Sequence, residues 1–149
     1  MITITRAKPS ECQKIRKFEQ AVWKEKGITS AYDSAFFAWF GYVYVAKDKG
    51  KIVGVIIAIK TRDNEVKVVD WLVREKYRRQ GIGLRLYKKL LTAAAGLTVV
   101  AFVDSTNTAS LEAHQALGFK KVKKIKDPFY LGTKKVWWVV KTRNAAICE

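Results

Sequence analysis

Two periods of apolar residues alternate along this chain, and together they lay out its elements. Ile2–Thr5 alternates weakly between apolar and polar positions, as a half-buried strand does. Pro9, Ser10 and Glu11 then give a helix-start signal, and Cys12, Ile15, Phe18 and Val22 follow at helical spacing toward a stop at Gly27. A second helix is predicted over Ser30–Phe40, aromatic almost all round. Tyr42–Ala46 and Ile52–Thr61 read as strands joined by a tight turn at Asp48-Lys49-Gly50-Lys51. The second of these is apolar on both faces, which makes it central in a sheet. Val66–Val73 is the next buried strand. Ile82, Leu86 and Leu90 then mark one face of a helix that Gly96 ends.

Leu97–Val103 returns to a buried strand, and Asn107 is a good N-cap for a short helix that Gly118 closes. Lys120–Lys126 fits a bulged or edge strand with its lysines outward. Asp127-Pro128 breaks it, and Phe129-Tyr130 falls in the following loop. Lys135–Lys141 is the last strand. The pattern predicts seven strands and four helices in one domain over residues 1–149, with no internal repeat.

Composition narrows the class. An apolar share of 49% with five Trp and seven Phe belongs to a folded globule. The first residues lack the apolar core of a signal peptide, and the longest apolar run, Ala93–Val103, is too short to span a bilayer. Cys12 and Cys148 lie near opposite ends with no metal-ligand spacing. A cytoplasmic setting without a metal is expected. The charge is unusual: 29 Lys and Arg against 13 Asp and Glu, a formal +16. Such a surface attracts polyanions, among which are phosphorylated cofactors, nucleic acid and acidic acceptors.

Chemistry concentrates after the Val66–Val73 strand. Arg78-Arg79-Gln80-Gly81-Ile82-Gly83 forms a basic turn leading into a helix, a place where backbone N–H groups converge on an anion. It is not a Walker loop, because Gly83 is followed by Leu84 and Arg85. Nor is it a dinucleotide fingerprint, because Leu86 stands where the third glycine belongs. A second constellation runs from Asn107 through His114 to Gly118-Phe119.

The R-x-x-G-x-G turn after a strand, followed by the Asn-initiated helix ending in Gly-Phe, resembles the two signatures of the GNAT superfamily of N-acetyltransferases. Most of the chain is covered. The resemblance implies an α/β (α+β) fold: a mixed, mostly antiparallel twisted sheet of about seven strands with about four helices, splayed between the fourth and fifth strands. It implies acetyl-CoA as cofactor, with CoA as product. Leu72 and Val73 would bond the pantetheine arm through their backbone. Arg78, Arg79, Gln80, Gly81, Ile82, Gly83 and Leu84 would hold the pyrophosphate. Arg79, Arg85 or Lys88 would reach the ribose phosphate, and Asn107 would contact the cofactor arm. Where the family usually carries Tyr, seven residues after that Asn, this chain has His114, also placed against the cofactor.

Acetyl transfer to an amine needs a base, an oxyanion donor and an acid for the departing thiolate. His114, titrating near neutrality, is the candidate acid. Asp70 is the first candidate base, resembling an acidic position of polyamine acetyltransferases, and Asp104 is the second. If the strand alternates, Asp70 and Leu72 share a face opposite Trp71 and Val73. Backbone N–H on the Val73 strand would serve the oxyanion. Trp23, Tyr32, Phe36, Trp39 and Tyr130 are the candidate acceptor contacts. With no Ser-His-Asp or Cys-His set, direct attack in a ternary complex is expected on a primary amine, a small one ahead of a protein or peptide amine. The rivals are a basic module docking on nucleic acid or the ribosome with a vestigial or regulatory CoA site, and the same fold using another acyl-CoA. A homodimer is a further expectation.

Overall fold

The computed structural model describes residues 1–24, 31–128 and 135–142. Its elements run β1 (Ile2–Arg6), α1 (Cys12–Trp23), α2 (Ala31–Phe40), β2 (Tyr42–Asp48), β3 (Lys51–Lys60), β4 (Glu65–Val73), α3 (Ile82–Ala93), β5 (Thr98–Asp104), α4 (Thr108–Ala116), β6 (Lys120–Lys126) and β7 (Lys135–Lys141). The order is the predicted one. The strands form one sheet ordered β1-β2-β3-β4-β5-β7-β6, with every neighbouring pair antiparallel except β4 and β5. Among the described residues no helix is long and apolar enough to cross a membrane.

Local chemistry explains the boundaries. The β2–β3 turn has Lys49 and Gly50 both at positive φ (47° and 76°), the conformation whose twist matches a two-residue hairpin. Helix α1 ends sooner than predicted, because Lys24 turns left-handed at φ 56°, while Gly27 lies outside the described residues. β6 is an edge strand with exposed lysines and a register shift around Val122, the form that blunts an edge against pairing with another chain.

The sheet has a core on each face. On one, α3 lays Leu86, Tyr87, Leu90 and Leu91, all at 0% exposure, against Val66, Val68, Ala101 and Val103. Each such leucine contributes about 1.5–3 kcal/mol of burial, which fixes α3 and the loop that precedes it. On the other, Ile15 and Phe18 of α1 pack with Val55, Ile57 and Leu72. Two irregularities then shape the centre. β4 and β5 pair only through Glu65–Thr98, Val66–Val99 and Lys67–Val100, and beyond that they diverge. Within β4 the register slips, with Val68 opposite Ala58 but Asp70 opposite Ile57, so Val69 bulges out of the ladder. Strict alternation from Val66 and Val68 would send Asp70 to the α3 face. The extra residue turns it to the α1 face instead, beside Leu72 and opposite Trp71 and Val73.

Candidate active site

The divergence of β4 from β5 opens a cleft of about 160 Å³. Asp70 and Trp71 line it from β4, Phe102 and Asp104 from β5, Trp23 from α1, and Asn107 and His114 from the start and middle of α4. The chain's backbone supplies the β4 wall. Arg74 N–H donates to the Val53 carbonyl at 2.8 Å, which by antiparallel alternation turns the polar groups of Leu72 toward β3 and those of Trp71 and Val73 toward the cleft. Trp71 N–H is satisfied by Asp70 Oδ1 at 3.0 Å, and the Val73 carbonyl accepts from Arg78 Nε at 3.0 Å. The Val73 N–H is therefore the donor left over at this end of β4, while Leu72 bonds within the sheet and packs its side chain on the α1 core.

The basic turn follows this end of β4. Arg79 and Gly81 take positive φ (60° and 73°), and Gly81 is the N-cap of α3, so the free N–H groups of the first helical turn open onto the loop. Ile82 is buried and anchors the turn, leaving its side chain no part in anion contact. Gly83 has a different reason to be glycine. A Cβ there would stand 3.1 Å from Cζ2 of Trp71, whose indole N–H donates to the Gly83 carbonyl at 3.1 Å. Gln80 donates to the Lys76 carbonyl, and Arg85 reaches the Ile2 carbonyl at 3.2 Å, tying α3 to β1. Leu84 and Lys88 are exposed.

His114 is 3% exposed, inside a box of Trp71, Tyr87 and Phe119 with ring centroids 5.1–5.4 Å away, all edge-to-face. Its Nδ1 lies 2.7 Å from the Ser110 carbonyl, which can only accept, so Nδ1 carries the proton. Burial lowers the ring's proton affinity, so it is neutral, and Nε2 accepts from the Tyr87 hydroxyl at 2.9 Å. Both nitrogens are engaged inside the fold, and the ring contributes a wall to the cleft.

Asp70 lines the cleft from β4 and is half-buried. Oδ2 lies 3.5 Å from Trp23 Nε1, and a hydrogen bond joins the side chain to Glu19 of α1. Burial raises its proton affinity above the ordinary carboxylate range, and the hydrogen bonds from Glu19, Trp23 and Trp71 N–H draw it back only in part. Asp104 is differently placed. Its Oδ1 accepts from the backbone N–H and hydroxyl of Thr106 at 2.9 and 2.8 Å, which builds the turn into α4. Asn107 then caps that helix through Oδ1 to Ser110 N–H at 3.1 Å.

A model of the acetyltransferase (GNAT) family matches residues 10–119. The chain belongs to the GNAT family. Solved structures agree in fold. The ribosomal-protein-S18-alanine N-acetyltransferase from Escherichia coli superposes with a TM-score of 0.82 at 19% identity, covering 100% of this chain and 97% of that one. The yncA protein of Salmonella typhimurium, solved with its cofactor acetyl-CoA, gives 0.79 at 17%, covering 100% and 98%. Arabidopsis thaliana NAA60 in complex with a bisubstrate analogue gives 0.79 at 14%, covering 95% and 97%. A search of curated proteins finds no significant match. Acetyl-CoA-dependent transfer to an amine is the general activity of a GNAT protein, and this chain carries the fold built for it.

Of the candidate acceptor contacts, Trp23 is a lining residue of the cleft, 43% exposed. Phe36 and Trp39 are not: α2 turns Phe37 into the α1 core and leaves Phe36, Trp39 and Phe40 at 47%, 66% and 73% exposure. The reason is that a helix apolar all round can bury one face only. The side chain of Tyr32, and all of Tyr130, fall outside the described residues. Two residues of the site escaped the sequence reading. Tyr87 is a polar-tipped member of the α3 apolar stripe, and Glu19 is a charge on the stripe of Ile15, Phe18 and Val22. That misplaced charge was the available signal.

Proposed function

We propose that this protein acetylates a primary amine from acetyl-CoA by direct attack in a ternary complex, with a small amine as acceptor. The observation that supports it best is the sequence along β4 of a half-buried Asp70 carboxyl lining the cleft, a Val73 N–H left as donor while Arg78 occupies the Val73 carbonyl, and the left-handed Arg79–Gly81 turn at the N-terminus of α3. The last two fit an extended amide-bearing arm ending in a pyrophosphate. Val73 would hold the arm, the Arg78–Leu84 turn the pyrophosphate, and Asn107 the arm's far side. Acetyl-CoA supplies an activated acetyl thioester there.

The chain's own groups do the rest. Asp70, kept basic by burial, takes the proton of an acceptor ammonium, which a free alkyl amine holds up to a pH of about 10. Val73 N–H directs a donor at charge developing on oxygen. Trp23 bounds the acceptor's entrance. His114 walls the cleft, with its Nε2 accepting from the Tyr87 hydroxyl. A protein or peptide amine is the second reading, favoured by the exposed rings of α2, which packs on the α1 helix that carries Trp23. Thiol release from acetyl-CoA, measured over polyamines, amino acids, aminoglycosides and peptides with free N-termini or lysines, tests both. Turnover on a small amine supports the first; turnover on peptides alone supports the second; none on any amine overturns the enzyme reading.

A further inference from the structure

Five of the seven residues of β6 are lysines, none is acidic, and all five lysines are exposed. Among the described residues none of the five has a carboxylate partner. Blunting an edge takes a lysine or a bulge, and β6 has both before its last three lysines are counted. The pairing gathers the charge on one face. Lys121 and Lys124 stand over the Trp137 ring, their ammonium groups 5.0 and 6.0 Å from its centroid, on the face of the sheet that carries α3 and α4. Lys126 follows Lys124 by two residues and pairs with Lys135, which precedes Trp137 by two, so both lie on that face. Lys141 closes the row from the other end. A Cβ on Gly118 would stand 2.7 Å from its Nζ, a place that glycine leaves to the ammonium. Five cations thus surround one half-buried indole. Beside them a groove of about 500 Å³ runs between α4 and the two strands, with Leu111, Phe119 and Val139 as its apolar lining and Lys120 and Lys121 as its charged one.

We propose that this face of the β6–β7 ribbon binds single-stranded nucleic acid, with Lys121, Lys124 and Lys126 on successive phosphates and a base in the groove beside α4. A row of cations along an extended strand suits a polymer of evenly spaced anions. Lysines two residues apart on one strand face lie about 7 Å from each other, within reach of successive phosphates of a chain that carries one about every 3.4 Å of axis when helical. The apolar groove takes a flat ring, which only an unpaired strand can turn outward. An acidic peptide would add to β6 as a strand, and the bulge and the lysines oppose that. An anionic bilayer would ask for several exposed apolar side chains, and β6 shows only Val122, 58% exposed. None of the β6 lysines lines the cleft between β4 and β5, and only His114 lines both cleft and groove. The binding activity is therefore independent of the acetyltransferase reading.

The test follows the fluorescence anisotropy of a short labelled oligouridylate titrated with the full chain and with two triple variants of equal charge change. Lys121→Gln, Lys124→Gln and Lys126→Gln together remove the row. Lys14→Gln, Lys17→Gln and Lys51→Gln together remove three exposed lysines elsewhere. Melting temperature confirms that each variant folds. Wild type is expected to bind with a slope of log affinity against log salt of about −2 to −3, from three to four phosphates at about −0.7 each. The β6 variant should lose about tenfold or more in affinity near 0.1 M salt, with a slope flatter by about 2, and the other triple should stay within about twofold. Acetyl-CoA in excess should leave the oligonucleotide bound. Equal losses in the two triples would show that only the overall charge attracts the probe and overturn the proposal, as would no binding by wild type. Displacement by acetyl-CoA would put the probe in the cofactor site and overturn it too. Poly-glutamate or phosphatidylserine vesicles that bind as tightly as the oligonucleotide would assign the row to another partner, with the same consequence.

Discussion

The indole N–H of Trp71 donates to the carbonyl of Gly83 at 3.1 Å, across the junction between β4 and the first turn of α3. The same ring stands edge-to-face against His114, with 5.4 Å between centroids. One side chain thus ties the first turn of α3 to His114 of α4. Gly83→Ala places a Cβ 3.1 Å from that ring, with little room to give, and an overpacked core of this kind costs about 1–3 kcal/mol. Gly81→Ala meets nothing within 4 Å and is opposed by its φ of 73° alone, about 1–2 kcal/mol. Urea unfolding compares their stabilities, and the near-ultraviolet signal of Trp71 separates their causes: it changes in Gly83→Ala and stays in Gly81→Ala.

Asp70→Asn is expected to reduce turnover by about 10²–10⁴-fold and to stabilise the fold at alkaline pH. The sign follows from a folded proton affinity raised by burial. Such a carboxyl contributes stability that is present below the unfolded value of about 3.9 and is lost as pH rises through the raised folded one. Asparagine removes the loss, a gain on the order of 1 kcal/mol. Melting curves at pH 5 and pH 8.5 check it; a variant that gains nothing at pH 8.5 would show that the charge is not buried.

His114 shifts the other way. Burial first, offset by the bond to Ser110, lowers its proton affinity, so its contribution is full above the unfolded value of about 6.5 and declines as pH falls below it. His114→Phe should flatten the fall in melting temperature between pH 7 and pH 5. Tyr87→Phe leaves Nε2 without its donor and is expected to cost about 1–3 kcal/mol at pH 7.5. Equal acid slopes in wild type and His114→Phe would remove the histidine from the account.

Lys67 is a third titrating group of the interior. Burial, only partly offset by Asp127, lowers its pKa to about 8, and its ammonium lies 4.2 Å from the Phe102 ring centroid. With its folded value depressed, its contribution is present above the unfolded value of about 10.4 and lost as pH falls through about 8. Lys67→Met should therefore raise stability at pH 7 by about 1–3 kcal/mol and do less at pH 10, as read by denaturant midpoints at the two pH values.

Much of this architecture was legible because local chemistry and global fold agree. Lys49-Gly50 is a hairpin turn on any reading, and the R-x-x-G-x-G turn could only follow a strand and open a helix. The face of Asp70 was also anticipated, but for an incomplete reason. Alternation counted back from Leu72 places it correctly; counted forward from Val66 and Val68 it places it on the wrong side, and only the bulge at Val69 reconciles the two. Bulges are settled by the partner strand, here β3, which local pattern does not include. The same holds for Glu19 and Tyr87, whose roles exist only once α1 meets β4 and α3 meets α4. The aromatic residues of α2 show the converse: composition marked them as interesting, but which rings turn inward depends on the α1 surface they meet.

The three residue pairs between β4 and β5 have a further consequence. Among the described residues they are all of the strand pairing between β1–β4 and β5–β7. The seam of the sheet and the candidate site coincide. An extended amide arm lying along Val73 would supply rungs that the ladder lacks, so the bound molecule would serve as a missing stitch as well as a reactant. Backbone amides on both sides of the seam would then exchange with solvent more slowly in its presence, and opening between catalytic cycles would follow the weakest line already drawn in the fold.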